Sequence, residues 1–253
     1  MDYINTMQRV EMKYILNKSQ LVALKEALKE HMIIDQYGKT SIASIYYDTA
    51  DYRLIRASIE KPSFKEKIRL RSYGLLDENN KAFLEVKRKV DGLVYKRRMT
   101  LTEEEAEQFF LDNHYVNEGQ IAKEISYFRN FYQDLKPMIM IIYDRVAYQE
   151  IDGTLRLTID ENPRYRQEEL NLHTSMDGTP FLDEGSAILE IKVQEVMPLW
   201  LVSILSKEKI YKTSFSKVGE AYKKIISNRE ERKQESWVHY SQSYPALTKS
   251  LSH

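Results

Sequence analysis

The stretch Lys67-Ile68-Arg69-Leu70-Arg71 constrains this chain more than any other. Side chains along an extended strand alternate between faces, so Ile68 and Leu70 share one face and three permanent cations share the other. The charged stripe is about 13 Å long, from four steps of roughly 3.3 Å. Five other segments repeat the pattern. Arg9, Glu11 and Lys13 oppose Val10, Met12 and Tyr14; Glu85, Lys87 and Lys89 oppose Leu84, Val86 and, out of pattern, Arg88; Lys96 and Arg98 oppose Tyr95, Met99 and Leu101. Arg156, Thr158 and Asp160 oppose Leu155, Leu157 and Ile159, and Glu190 and Lys192 oppose Leu189, Ile191 and Val193. One such stripe is the wet face of a half-buried strand; a whole set points to strands that share one charged interior.

The chain balances 38 basic against 38 acidic residues, so an electropositive site must come from arrangement, not from net charge. With Arg145 from the long run Pro137 to Glu150, the charged parity holds 12 cations and 4 carboxylates. Two like charges 4 Å apart repel by about 4 kcal/mol at an effective dielectric near 20, so such a lining needs anions or much water. A multivalent anion fits, and phosphate chains fit best: guanidinium groups clamp phosphate oxygens bidentately and lysines act as point charges. Glu11, Glu85, Asp160 and Glu190 are then hard oxygen ligands for Mg²⁺ or Mn²⁺, which bridges phosphates.

The apolar parities need cover, and the sequence supplies helices for it. Ser19 is the expected N-cap of a helix through about Met32, Asp48 to Asp51 cap a short helix over Tyr52 to Glu60, and Thr102 with Glu105 forms a capping box for a helix to about Asn113. Further helices are expected over Ile121 to Tyr132, Pro198 to Leu205 and Ser216 to about Ser227. Ile42 to Tyr47 reads as a strand, Asp91-Gly92 and Asp152-Gly153 as hairpin turns, and Arg164 to Pro180 as a loop or lid. The fold class is α+β: an antiparallel eight-stranded β-barrel with a polar bore, jacketed by helices. Residues 1–228 form this domain, and 229–253 a polar, mostly aperiodic C-terminal tail.

In order along residues 5–228, the segments Arg9-Val10-Glu11-Met12-Lys13-Tyr14, Lys67-Ile68-Arg69-Leu70-Arg71, Glu85-Val86-Lys87, Tyr95-Lys96-Arg97-Arg98, the Arg145 strand, Arg156, Glu190-Ile191-Lys192 and Phe215-Ser216-Lys217 are similar to one known family. The chain resembles the polyphosphate polymerase domain of the vacuolar transporter chaperone family, a branch of the triphosphate tunnel metalloenzymes. The resemblance implies a tunnel of eight antiparallel strands in which the triphosphate of ATP and a growing polyphosphate lie end to end. By position it makes Lys13, Arg69, Arg71, Lys87, Lys96, Arg145, Arg156 and Lys217 phosphate ligands and Glu190 the metal ligand. Related tunnel hydrolases open with Glu-x-Glu-x-Lys; here Arg9 stands for the first glutamate, which suits the polymerase branch.

The expected activity is ATP-dependent polyphosphate synthesis. Arg69, Arg71, Arg145 and Arg156 are the expected catalytic groups, and Arg9, Lys13, Lys67, Lys87, Lys96, Arg98, Lys192 and Lys217 the expected phosphate ligands. Hydrolysis of tripolyphosphate or nucleoside triphosphates, and non-catalytic polyphosphate binding, are the alternatives. No cysteine is present, which fits a reducing cytoplasm. No signal peptide or membrane span is read, so any link to a membrane rests on a partner protein. The five histidines show no metal-ligand spacing, no glycine-rich phosphate loop is present, and the tyrosines lie scattered on apolar parities, against nucleic-acid stacking.

Overall fold

The computed structural model describes residues 10–243 apart from 61, 78–80, 92, 113–118, 152–154 and 195. Along the chain, β1 (Val10–Leu16), α1 (Lys18–His31), β2 (Ile33–Asp48) and α2 (Arg53–Glu60) lead into the β3 (Phe64–Tyr73), β4 (Ala82–Val90), β5 (Leu93–Leu101) meander. Two helices follow, α3 (Glu103–Asp112) and α4 (Gln120–Tyr132), then β6 (Lys136–Gln149), β7 (Arg156–Arg166), the two-residue β8 (Thr179–Pro180) and β9 (Ala187–Val193). The order closes with α5 (Leu199–Lys207), the two-residue β10 (Lys212–Thr213) and α6 (Lys217–Ser243).

All the strands join one antiparallel sheet in the order β10-β1-β9-β7-β6-β2-β3-β4-β5, with β8 on β7. Setting aside β8 and β10, this is the eight-stranded set expected from sequence. No pairing joins β5 to β1 or β10 among the described residues, so hydrogen bonds do not close the ring. The two ends of the sheet nevertheless face each other. Lys87 on β4 lies in the field of Glu11 and Lys13 on β1 and of Glu190 on β9, strands from the far end of the order. Strand twist curls the sheet until its charged faces meet.

The outer face is apolar, as the alternation requires. Ile68, Leu70 and Leu84 are fully buried with Met140 and Ile142 against Phe109 and Phe110 of α3 and Ile125 and Phe128 of α4. On the other half, Leu157, Ile159, Leu189 and Ile191 pack under Leu21, Leu24 and Leu28 of α1 and Leu201 and Leu205 of α5. Each such side chain contributes about 1.5–3 kcal/mol relative to exposure. Arg88, out of pattern in the sequence, ion-pairs with buried Glu66 on this outer face, and Tyr132 of α4 donates to the same carboxylate at 2.8 Å.

Local chemistry sets the element ends. Asn17, not Ser19, caps α1: its Oδ1 accepts from the Gln20 N–H at 2.9 Å while Gln20 Oε1 accepts from the Asn17 N–H at 3.0 Å. Ser19 sits inside the helix and donates to Asn17 Oδ1. Asp48 accepts from the backbone N–H of Leu54 and Ile55 at 2.9 and 2.8 Å, anchoring α2, and Thr102 with Glu105 makes the expected capping box. Three boundaries differ from the sequence reading. Strand β2 begins at Ile33, not near Ile42, because a register shift between Ile34 and Lys39, spanning Gly38 at φ +58°, hides the alternation. Strand β7 runs on to Arg166, and Thr179–Pro180 pairs with it, so part of the expected loop belongs to the sheet. Helix α6 continues past position 229 to Ser243. The Asp152-Gly153 turn lies outside the described residues.

The interior is not polar throughout. Inward positions Ile42, Tyr46, Ile139, Ile141, Tyr143 and Ile188 form an apolar cluster with Ile55 of α2 and with Phe215, Val218 and Ala221 at the start of α6. This corrects the uniformly polar bore expected from sequence. Charge lines one part of the inside and α6 fills another.

Candidate functional site

The densest cluster spans three adjacent strands. Arg69, Glu85 and Arg98 are cross-strand neighbours on β3, β4 and β5, so their inward side chains converge. Glu85, only 2 % exposed, takes Arg69 on Oε2 (Nε 2.9 Å, Nη2 2.7 Å) and Arg98 on Oε1 (Nε 2.8 Å, Nη2 2.5 Å). Lys96 Nζ reaches Oε1 at 3.0 Å and Arg71 Nη1 lies 3.7 Å from Oε2. Burial alone would raise the Glu85 carboxyl, but Arg69, Arg71, Lys96 and Arg98 hold it far below the usual carboxylate range.

Hydroxyls complete the arginine coordination. Arg69 Nη1 donates to Tyr46 Oη at 3.0 Å, Arg71 donates to Ser44 Oγ at 3.1 Å and Tyr143 Oη at 3.2 Å, and Arg98 donates to Tyr73 Oη at 3.2 Å. Burial would raise the Tyr46 phenol; Arg69, Lys67 and Arg71 overcome it and bring it down to about 7. Lys67 is also pushed down, to about 8 and toward its neutral form, by burial and by the like charges of Lys13, Arg69 and Lys87, with Tyr46 opposing. Its Nζ donates to Ser216 Oγ at 2.9 Å, at the entry to α6.

A second cluster lies between β6, β7, β9, β1 and α6. Asp160, fully buried, accepts Arg145 at 2.6 and 2.8 Å and Lys217 at 2.5 Å. Arg145 Nη2 is also 3.7 Å from Glu190. Across the β1–β9 pair, Lys13 Nζ stands 3.4 Å from Glu11 and 3.9 Å from Glu190. Burial opposes ionisation of Glu190, and its surroundings, the neighbouring Glu11 and the cations Lys192, Lys13 and Lys217, hold it well below the usual range.

The structure therefore brings together Lys13, Lys67, Arg69, Arg71, Lys87, Lys96, Arg98, Arg145, Lys192 and Lys217, all expected from sequence. Arg156 stands at the rim beside Lys192, its register partner, with its exposed side chain reaching Asp35 at 3.5 Å. Arg9 lies outside the described residues. The four carboxylates divide. Glu85 and Asp160 have their oxygens taken by cations, so they do not fit the metal-ligand role expected of them. Glu11 and Glu190 stand side by side as hard oxygen donors and fit one divalent cation that also takes phosphate oxygens. Among the described residues no group of three or more His, Asp or Glu side chains is placed to hold a metal. The sequence reading missed Ser44, Tyr46, Tyr73 and Tyr143. The signal was present in the parities: Ser44 and Tyr46 share one on β2, Tyr73 extends that of Arg69 and Arg71, and Tyr143 shares that of Arg145.

Two solved structures share this fold. A candidate adenylate cyclase from Bacillus halodurans superposes with a TM-score of 0.54 at 15% identity, covering 82% of this chain and 93% of that one. A candidate adenylyl cyclase from Hippeastrum, described as having a dominant triphosphatase activity, gives 0.52 at 16% identity over 83% of this chain and 91% of its own. The chain shares the fold of these two proteins. Residues 8–226 match the model of the VTC domain, and the chain belongs to that family. It is 25% identical over 230 residues to vacuolar transporter chaperone complex subunit 4 of Schizosaccharomyces pombe, over 72% of this chain and 32% of that protein. The chain thus spans about a third of the length of that relative. No described helix is long and apolar enough to cross a membrane.

Proposed function

We propose that this domain is an ATP-dependent polyphosphate polymerase that transfers the ATP γ-phosphate to a polyphosphate chain inside the curled sheet. The observation that carries the reading is the inward cation cluster: Lys13, Lys67, Lys87 and Lys96 with Arg69, Arg71, Arg98 and Arg145 face one another, and four inward carboxylates do not neutralise them. Phosphoryl transfer needs positioning and charge neutralisation around an in-line geometry, and such a lining supplies both without a covalent nucleophile. Arg69, Arg71 and Arg145 stabilise the transferring group, and the lysines seat the flanking phosphates. Arg156, at the rim, guides the chain rather than touching the reacting atoms. A Mn²⁺ or Mg²⁺ ion on Glu190 and Glu11 supplies further charge neutralisation at the phosphoryl oxygens when bound. The match to a subunit of an S. pombe complex supports a partner protein. The cytoplasm is the compartment that suits an ATP substrate, and a partner protein is the proposed link to a membrane.

A second reading, hydrolysis of short phosphate chains, draws on the apolar filling of the interior by α6, which makes a pocket as readily as a passage. One experiment separates the two. Pure protein with ATP and Mn²⁺ is expected to release ADP and lengthen polyphosphate, and Glu190→Gln to lose both. Orthophosphate release from tripolyphosphate with no chain growth selects the hydrolase, and neither product defeats both readings.

A further inference from the structure

Glu85 sits at the centre of the lining and has no role in the chemistry above. A structural ion pair matches one carboxylate to one cation, whereas this carboxylate serves four: Arg69, Arg71, Lys96 and Arg98. The hub keeps a large positive excess, which a stabilising network would not. Its geometry is also directional. A guanidinium offers two bidentate edges, the Nε–Nη2 side and the Nη1–Nη2 end. Glu85 takes the side edge of both Arg69 and Arg98, one on each oxygen. Tyr46 then accepts from Arg69 Nη1, and Arg98 Nη1 makes no hydrogen bond among the described residues. Both planes are fixed before any ligand arrives.

We propose that Glu85 is a positioning residue: it clamps Arg69 and Arg98 by their side edges so that their Nη1 ends, with Lys96, meet phosphate oxygens in one fixed arrangement. The proposal rests on the reading that the interior binds phosphate chains. It has two opposed consequences. Neutralising one charge weakens the attraction for a polyanion, while pinning long, rotamer-rich side chains removes the ordering cost at the moment of transfer. Loss of the carboxylate therefore separates binding from turnover.

The test compares wild type, Glu85→Gln and Glu85→Asp by calorimetric binding of inorganic tripolyphosphate, thermal melting with and without it, and turnover of ATP with Mn²⁺. Glu85→Gln is expected to melt lower when empty and to regain more on adding tripolyphosphate than wild type does. Its affinity for tripolyphosphate should hold or tighten, up to about tenfold, while kcat falls about 10- to 100-fold, the usual loss for displaced positioning groups. A role confined to stability would instead lower the melt and leave both the ligand shift and the kcat of folded protein unchanged, and that outcome overturns the proposal. Should Glu85→Gln fail to fold even with tripolyphosphate, Glu85→Asp decides. It keeps the charge with one methylene less reach, so it should melt near wild type yet turn over at least about tenfold slower; a wild-type kcat refutes the clamp. If wild type binds no tripolyphosphate, the phosphate reading itself falls and takes the clamp with it. Wild-type binding with an unaffected Glu85→Gln rejects the clamp alone.

Discussion

Tyr46→Phe removes one oxygen and should remove much of the rise in stability that the empty protein shows between about pH 7 and pH 10. The phenol drops from its ordinary 10.0 to about 7: burial opposes this, and Arg69, Lys67 and Arg71 more than offset it. An acid whose folded pKa lies below its unfolded value contributes stability that is complete above the unfolded pKa and lost as pH falls through the folded one. Three units at 1.36 kcal/mol per unit set an upper limit of about 4 kcal/mol, gained as pH rises from about 7 to about 10. Lys67 acts in the same sense. Its ammonium falls from 10.5 to about 8, so above pH 8 the unfolded chain holds a proton that the folded one has released. Each group carries the other's charge, so the two contributions do not add. A phosphate chain in the interior reverses the effect, because its negative charge pushes the phenol back up; tripolyphosphate should stabilise the protein more at pH 6 than at pH 9. The assay is a set of melts across about pH 6 to 9, paired with titration of the tyrosinate absorbance, in wild type and Tyr46→Phe. Wild type should show one tyrosinate forming near neutrality that the variant lacks. If the two titration curves superimpose below about pH 8, Tyr46 is an ordinary buried phenol and the electrostatic account of the cluster is wrong.

Arg69→Ala should cut turnover of ATP by about 100-fold, the loss of one preorganised donor at developing charge. Its melt should stay within about 1 kcal/mol of wild type, because Glu85 keeps Arg71, Lys96 and Arg98; a large loss of stability with full activity would make the arginine structural. Asp48→Ala takes away the carboxylate that accepts from the N–H groups of Leu54 and Ile55, and should lower stability by about 1–2 kcal/mol in denaturant melts; no change would mean that water replaces it. Affinity for linear phosphates should rise with chain length and then level off, read by calorimetry on chains of defined length, since α6 and the apolar cluster bound the cationic stretch; an affinity that keeps rising would point to an open passage.

The sheet was legible because its alternation is strict where one face is charged. Strands β3, β4 and β9 announce themselves by Lys-x-Arg-x-Arg, Glu-x-Lys-x-Lys and Glu-x-Lys against buried aliphatics, and Ala82–Val90 and Ala187–Val193 fall where the pattern puts them. Strand β2 was half legible, since its inward residues are Ile42, Ser44 and Tyr46, with no charge to mark a face. The same blindness hid the phenols, which become part of the site through what they accept from Arg69 and Arg71, a contact made across strands far apart in sequence. The fate of the four carboxylates was also not legible. Parity puts Glu85 and Glu190 on the same interior, but only the cross-strand register decides that Glu85 faces two arginines and that Glu190 faces Lys13 beside Glu11.

The division of the interior follows from one helix start. Ser216 accepts from Lys67, and the next residue, Lys217, spends its ammonium on Asp160 at 2.5 Å. On one side of this turn stand Arg145, Glu190 and Lys13; on the other, Phe215 and Val218 pack with Tyr143, Ile188 and Ile141. Carrying a charged phosphate past the turn would desolvate it among aliphatic side chains, which costs several kcal/mol per ion, whereas staying among the cations costs nothing of the kind. On the proposed reading, a phosphate chain that follows the charge would run between the α6 turn and the rim at Lys192 and Arg156. Its terminal group would rest beside Lys217, Arg145 and Glu190, the carboxylate that with Glu11 would hold a metal. Terminal attack is what both chain extension and stepwise hydrolysis need, so on the proposed reading the two chemistries would share this end and differ in which nucleophile, phosphate or water, reaches it.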